Sequence, residues 1–475
     1  MPTNKIFGPP GTGKTTFMLN TVQHYLSEGV SPKSIGYLAF TTKAAKEAKH
    51  RALEKFPHLN TNHLQGFRTI HSLCYSICGY STGDIIQRNH YSDLCKKLSI
   101  PYSGYVSMEE GTVADILPGD RLIFIEGLAK ARRRSFMEEF DEAQSPGVGR
   151  QEAVLFDTAL KNFKQSQMLD DFNDMLIHVA DGQFSVPAFE VLFVDEAQDL
   201  SKLQWAVVQK LIQKAKHVYI AGDDDQAIFS WAGADPESFL GLDGDVSVLD
   251  RTYRLPHKVF DIAKNMSETI QVRQQKVWSP RPEADQGLVE WVRDINSLEL
   301  DKGSWLILAR NSYLLKEAQE LCFQEGYSYE GKNSLLESES LRAIRAYEDL
   351  RADREVGEDG RKLVAQYGWT GNVSSNSPIW HEALLRIPIR EKEYFIAARG
   401  KGESLLRPRI RLSTIHGAKG GEADHVAVYT EVSMRSYETM QRDPDSETRV
   451  FYVAATRAKK SLHFIEPKGM NYFKI

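Results

Sequence analysis

The segment Gly8-Pro9-Pro10-Gly11-Thr12-Gly13-Lys14-Thr15 constrains the fold more than any other part of the chain. It fits G-x-x-x-x-G-K-[ST] at every position. A short apolar strand at 5–7 precedes it and a helical pattern at 14–26 follows. Glycines let successive backbone N–H groups turn inward onto phosphate oxygens, and the helix N-terminus adds its partial positive charge. In such a loop the lysine, Lys14, bridges the β- and γ-phosphates, and the hydroxyl of Thr15 binds Mg²⁺. Gly8 to Thr15, with Thr16 after them, are therefore the nucleotide-binding residues. A chance glycine-rich turn would not stand between a strand and a helix in this way.

The pattern around the loop is that of a parallel α/β sheet. A second strand is expected at 35–40, followed by a helix carrying Ala44, Ala45, Ala48 and Leu53. Residues 80–185 read as mostly helical. Within them, 121–143 form an amphipathic stretch with Leu122, Ile125, Leu128 and Ala129 on one face. A buried strand at 191–194, a helix at 203–212 and a strand at 217–221 complete the first half. After about residue 245 the pattern restarts, with strands at 246–249, 289–292, 305–308, 411–413, 426–429 and 462–465. Helices at 257–267 and 313–324 alternate with them, and a charged region at 335–405 reads as an insertion.

Composition narrows the class. The 475 residues allow two to four compact units at about 100–200 residues each. Hydrophobic content of 41% is enough for ordinary cores. With 59 Lys+Arg against 64 Asp+Glu the net charge is −5, so any nucleic-acid site must be a local groove. The four cysteines, Cys74, Cys78, Cys95 and Cys322, show no second pair at metal-ligand spacing and read as reduced thiols. There is no signal-peptide core and no run of about 18 apolar residues, so the chain is expected to be cytoplasmic with no membrane span.

The partner acids of the phosphate loop lie in Val191-Leu192-Phe193-Val194-Asp195-Glu196. An apolar strand ending in Asp-Glu places both carboxylates at the sheet's C-terminal edge, where α/β ligands bind. Asp195 is expected to hold Mg²⁺. Glu196 is expected to orient and deprotonate the attacking water. Asp-Glu after a strand is weak evidence alone, and becomes strong beside a phosphate loop, because hydrolysis needs both metal and base.

At this point the residues resemble the UvrD/Rep/PcrA group of superfamily 1 helicases, over most of the chain. Beyond the two motifs above, Ala39-Phe40-Thr41-Thr42-Lys43-Ala44-Ala45 resembles motif Ia and Thr69-Ile70-His71-Ser72 motif Ib. Gly222-Asp223-Asp224-Asp225-Gln226-Ala227-Ile228-Phe229-Ser230-Trp231 resembles motif III and is highly specific. Tyr253-Arg254 resembles motif IV, Thr414-Ile415-His416-Gly417-Ala418-Lys419-Gly420-Gly421-Glu422 motif V, and Tyr452-Val453-Ala454-Ala455-Thr456-Arg457-Ala458 motif VI. The order is the family's throughout.

The resemblance implies an α/β fold of two RecA-like P-loop NTPase domains in tandem, each with a parallel sheet and a mainly helical or small insertion. The first domain would comprise 1–80 and 186–248, with a helical insertion at 81–185. The second would comprise 249–334 and 406–475, with a reduced accessory insertion at 335–405. It implies ATP and Mg²⁺ as cofactors. Gln226 would contact the γ-phosphate or attacking water, with Arg254 and Arg457 as arginine fingers from the second half. Tyr253 would stack on adenine and Glu422 bond the ribose. Trp231 would be the base-stacking residue, since stacking is sequence-tolerant. Phe40, Thr41, His71, Thr414 and His416 would line the strand.

The implied activity is a monomeric, ATP-dependent DNA helicase and translocase, moving 3′ to 5′ on single-stranded DNA and acting at single-strand/duplex junctions in replication or repair. An RNA-directed ATPase of the same superfamily and an ATP-switched DNA clamp are the alternatives. The sequence departs from the family's pattern in three places. Only Met1 to Phe7 precede Gly8, where relatives carry a Gln-containing, adenine-reading segment. The accessory insertion, which includes Arg386, Arg390, Lys392, Arg399, Lys401 and Arg407, is short, as is the chain after motif VI. Gly421 and Ala423 stand where an apolar and an aromatic residue are usual. Looser nucleotide discrimination and a compact, phage-type form are the corresponding expectations.

Overall fold

The computed structural model describes residues 3–104, 117–143, 147–282 and 285–475. Among these, the chain forms two compact units. The first is 1–286 with 439–456, and the second is 287–438 with 457–475.

The first unit is built on a parallel sheet of β1 (Thr3–Phe7), β2 (Ile35–Ala39), β3 (Phe67–Thr69), β4 (Val191–Asp195), β5 (His217–Gly222) and β6 (Asp245–Val248). Its order is β3-β2-β4-β5-β1-β6. β2 and β4 are buried at every position, as strands covered on both faces must be. Alternation along the strands splits the core in two. Ile35, Tyr37, Val191 and Phe193 face helices Lys14–Ser27 and Thr42–Lys55, whose Met18, Val22, Ala48 and Ala52 meet them. Leu38, Leu192, Val194 and Ile220 face the opposite layer, helices Ile70–Cys78, Phe172–Ala180 and Lys202–Lys214.

The strand read as the restart of the pattern after about 245 is β6, and it lies in the first sheet, inside the expected bound of 248. It pairs with β1, Lys5 opposite Val246, and so closes the first sheet. Residues 249–286, expected with the second half, also pack within the first unit, as does 439–456. The amphipathic stretch at 121–143 is two helices, Pro118–Ala131 and Phe136–Glu142. Arg133 adopts left-handed backbone (φ 54) between them. Ser135 then caps the second helix, accepting from Glu138 N while Glu138 accepts from Ser135 N.

The second unit holds β7 (Leu288–Val292), β8 (Trp305–Ala309), β9 (Tyr329–Glu330), β10 (Ile410–Thr414), β11 (Ala423–Tyr429) and β12 (Ala458–Ile465). They form a second parallel sheet in the order β7-β12-β11-β8-β10-β9. Two parallel-sheet α/β units in tandem, of the RecA-like class, are the fold expected. Each carries a helical segment with its own core. Residues 81–185 gather Leu94, Leu122, Ile125, Phe140, Phe156 and Leu160. Residues 335–405, where helices Glu339–Arg351, Glu358–Gln366 and Ile389–Gly400 lie, gather Leu341, Tyr347, Trp380, Leu384, Tyr394 and Phe395.

Phe156 is fully buried in the first of these cores, 6.2 Å from the Phe136 ring. Phe156→Ala should destabilise that core by about 3–5 kcal/mol, read as a lower midpoint of chemical denaturation.

Candidate functional site

The phosphate loop joins β1 to helix Lys14–Ser27. Gly8 N donates to Gly222 O (3.0 Å), which fixes the loop to the end of β5. Thr12 folds back on Pro9, its Oγ1 2.8 Å from the Pro9 carbonyl. Gly13 is left-handed (φ 82) at the N-cap, and the helix has no side-chain cap. The first-turn N–H groups thus keep the donor capacity that a phosphate requires. Lys14 reaches back across the loop to Gly8 O (2.7 Å).

Asp195 ends β4 and is buried. Its Oδ2 accepts the Tyr37 hydroxyl (2.7 Å) and its Oδ1 the Glu196 N–H (2.9 Å). Burial, and then the charge of Glu196, push the Asp195 carboxyl up to about 6, against the pull of Tyr37 and Lys14. A buried carboxylate beside a second one fits a site for a divalent cation, which Asp195 and Thr15 would hold. Glu196 sits in left-handed backbone (φ 54), unusual for a side-chain-bearing residue and a local strain held by its surroundings.

Gln198 supplies part of that hold, and sequence reasoning passed it over. Its Nε2 donates to Glu196 Oε2 (2.6 Å) and its Oε1 accepts Asp223 N–H (2.9 Å). Asp223 Oδ2 in turn accepts Gln226 Nε2 (2.7 Å). Glu196, Gln198, Asp223 and Gln226 form one hydrogen-bonded chain from the end of β4 to the turn after β5. A glutamine two residues after Glu196, between Ala197 and Asp199, was the available signal.

Tyr253 and Arg254 pack on the phosphate loop within the first unit. Tyr253 N donates to Gly11 O (2.9 Å), and Thr252 Oγ1 donates to Pro10 O (2.7 Å). Gly11 is left-handed (φ 73), and a Cβ there would collide with Arg254 Cβ, so only glycine lets the motif IV segment approach. Arg254 was expected on the opposite half; it belongs to the first unit, its Nη1 donating to Thr456 O (3.2 Å). The Tyr253 ring is 69% exposed and available for stacking. Arg457 and Glu422 belong to the second unit. Arg457 is buried and donates to Gly421 O, and Glu422 pairs with Lys459 (2.5 Å).

The strand residues divide. Phe40 stacks on Phe229 (5.9 Å, 28°), Trp231 on Phe124 (6.3 Å, 17°), and His71 meets Phe172 edge-on (6.5 Å). Phe124, Phe172 and Phe229 were not singled out from sequence, the first two because they lie in the helical segment without a motif. The Trp231 turn is tied to that segment, since Arg132 Nη2 donates to Ser230 O (3.0 Å). Thr41 also caps helix Thr42–Lys55, its Oγ1 accepting Ala44 N–H. Thr414 and His416, in the second unit, are both 4% exposed, and Thr414 Oγ1 accepts Gly417 N–H.

The raised Asp195 carboxyl has a sign that can be checked. Between about pH 4 and 6 the unfolded chain binds fewer protons there than the native one, so this group makes stability fall as pH rises. With Mg²⁺ chelated, Asp195→Asn should remove that part of the fall, seen by comparing melting temperatures of the two proteins across that range.

The chain resembles known proteins over most of its length. A "Probable DNA helicase" of Mycoplasma pneumoniae is 25% identical over 488 residues, covering 97% of this chain and 80% of that one. ATP-dependent DNA helicase PcrA of Staphylococcus epidermidis is 25% identical over 307 residues, which cover 59% of this chain and 40% of PcrA. The solved arterivirus nonstructural protein 10 (helicase) with DNA aligns over 98% of this chain and 62% of its own at 13% identity, with a TM-score of 0.36, a distance at which no property transfers. The model of the UvrD-like helicase C-terminal domain matches residues 392–468. The model of the UvrD/REP helicase N-terminal domain matches 2–247, more than half of the chain and all of the phosphate-loop sheet but Val248, and the chain therefore belongs to the UvrD/REP helicase family.

Proposed function

We propose that the chain is an ATP- and Mg²⁺-dependent DNA helicase that translocates 3′ to 5′ on single-stranded DNA and separates duplex at a junction. One observation carries the reading. The turn that begins with the hydrogen-bonded Asp223 and Gln226 runs on into Phe229 and Trp231, so hydrolytic side chains and stacking rings share ten residues of one motif. A change at the γ-phosphate side therefore bears on a stacked base through covalent structure.

In this reading Lys14 neutralises the β- and γ-phosphates, and Glu196 takes the proton of the attacking water. Gln226 orients that water, and Arg254 and Arg457 offset charge on the transferring phosphoryl group. Thr15 and Asp195 hold Mg²⁺, which when bound neutralises phosphate charge. Tyr253 stacks on the base and Glu422 bonds the ribose. Phe40, Trp231 and His71, with Phe124, Phe172 and Phe229, make the stacking track, while Thr41, Thr414 and His416 take backbone or sugar contacts. The helical segments at 81–185 and 335–405 are insertions into the two motor domains. The relatives named DNA helicase support DNA as the substrate.

Partial duplexes with a 3′ or a 5′ tail, in DNA and in RNA, test this directly: strand separation should need ATP, Mg²⁺ and a 3′ DNA tail. Separation from 5′ tails alone would reverse the polarity, and ATPase without separation would favour the clamp. Lys14→Ala and Glu196→Gln should each lower kcat by about 100-fold or more. Trp231→Ala and Phe124→Ala should weaken single-strand binding by about 1–3 kcal/mol each while leaving its salt dependence unchanged, since stacking releases no counterions.

A further inference from the structure

Three consecutive carboxylates, Asp223, Asp224 and Asp225, follow β5, all at 1% exposure or less. Taking even one ion from water is costly, and adjacent like charges add repulsion. One ammonium meets all three. Lys276 Nζ lies 2.9 Å from Asp223 Oδ1, 2.6 Å from Asp224 Oδ1 and 2.7 Å from Asp225 Oδ2, its side chain inaccessible to solvent. Arg273 adds a two-pronged pair with Asp225, Nε at 2.8 Å and Nη2 at 2.5 Å. Gln274 N donates to Asp224 Oδ2 (2.8 Å). From helix Pro444–Ala455, Arg449 donates to the Asp224 and Val272 carbonyls (3.0 and 2.6 Å).

Buried ion clusters of this kind are often no more stable than apolar packing of the same volume. Fold stability is therefore a poor reason for this one. What the cluster does hold is the turn bearing Gln226. Asp223 presents Oδ1 to Lys276 and Oδ2 to the Gln226 amide, and its N–H to Gln198, which reaches Glu196. A shift of Asp223 would move Gln226 relative to Glu196, and misplacement by about 1 Å is enough to cost a large factor in rate.

We propose that Lys276 is a positioning residue for ATP hydrolysis: it pins Asp223, and Asp223 sets Gln226 in register with Glu196. The proposal rests on the reading of Gln226 and Glu196 as hydrolytic groups. Neither Lys276 nor Arg273 falls within the motifs that suggested that reading.

The test is a double-mutant cycle on the whole chain, with single-stranded DNA present and kcat and KM for ATP both measured. Lys276→Met should lower kcat at least about tenfold, with KM within about threefold. Should that variant fail to fold, Lys276→Met with Asp225→Asn removes one charge of each sign and replaces it, read against Asp225→Asn alone. In a Gln226→Ala background the same substitution should cost little more than Gln226→Ala itself, because Lys276 acts through Gln226. A merely structural lysine would give the same loss in both backgrounds, and that additivity overturns the proposal, as does an unchanged kcat in a folded variant. Parental kcat in Gln226→Ala alone would instead sink the underlying role of Gln226, and the proposal with it.

Discussion

Five carboxylates end up buried at or just past the C-terminal ends of β4 and β5: Asp195, Asp199, Asp223, Asp224 and Asp225. An ion in a protein interior is tolerated only when partnered, and here the partners come from far along the chain. Tyr37 on β2 serves Asp195, and Lys276 serves Asp223 to Asp225. Each partnership sets a position for the element that supplies it. Tyr37 must stand beside Asp195 across the β2–β4 ladder, where Ala39 pairs with Asp195. The segment 271–276 must fold over the turn after β5, which places 249–286 within the first unit. Charge compensation thus explains why a segment that reads as the start of the second half packs with the first.

The same demand shapes the electrostatics of the site. Burial pushes the Asp223 carboxyl up, yet Lys276, Lys14 and the Gln226 amide together hold it below the ordinary range, so it is an anion that accepts firmly. Asp195 has the Tyr37 hydroxyl, the charge of Lys14 and the Glu196 N–H to set against burial and the Glu196 carboxylate, and it lies above the ordinary range. Two neighbouring strands therefore end in carboxylates of opposite character. The satisfied one organises side chains; the under-compensated one is suited to a cation. This contrast follows from which residues surround each acid, not from the acids themselves.

Elements whose signal is local were readable from sequence. The buried run at 191–194 and the phosphate loop declare themselves because burial on two faces and phosphate cradling both demand contiguous residues. The break between Pro118–Ala131 and Phe136–Glu142 had a local signal too, Ser135 three residues before Glu138, hidden by the apolar periodicity on either side. β6 carried no such mark, since which strand it joins is decided by pairing with β1 more than 200 residues earlier, Asn4 opposite Asp245. Lys276 and Arg273 look like ordinary surface charges in Gln271-Val272-Arg273-Gln274-Gln275-Lys276. Only the sheet that brings Asp223 to Asp225 beneath them makes them interior. Of the site, the motifs were legible; the side chains that hold the motifs in register were not.

The stacking track rests on the same distinction between a local feature and its support. With a net charge of −5 the chain offers a polyanion little long-range attraction. In the proposed reading, affinity for a strand comes from short-range contact, which rings supply without reading sequence. Rings are useful for this only when held with a face open. Phe229 backs Phe40, Phe124 backs Trp231, and Arg132 grips the carbonyl of Ser230 beside it. Arg132 is itself anchored by Glu139 at 2.5 Å, on the second of the two short helices. The helix break that periodicity concealed is therefore part of what presents Trp231: a single straight helix through 132–135 would carry Arg132 and Glu139 seven residues apart on one continuous face, not folded back on the motif III turn.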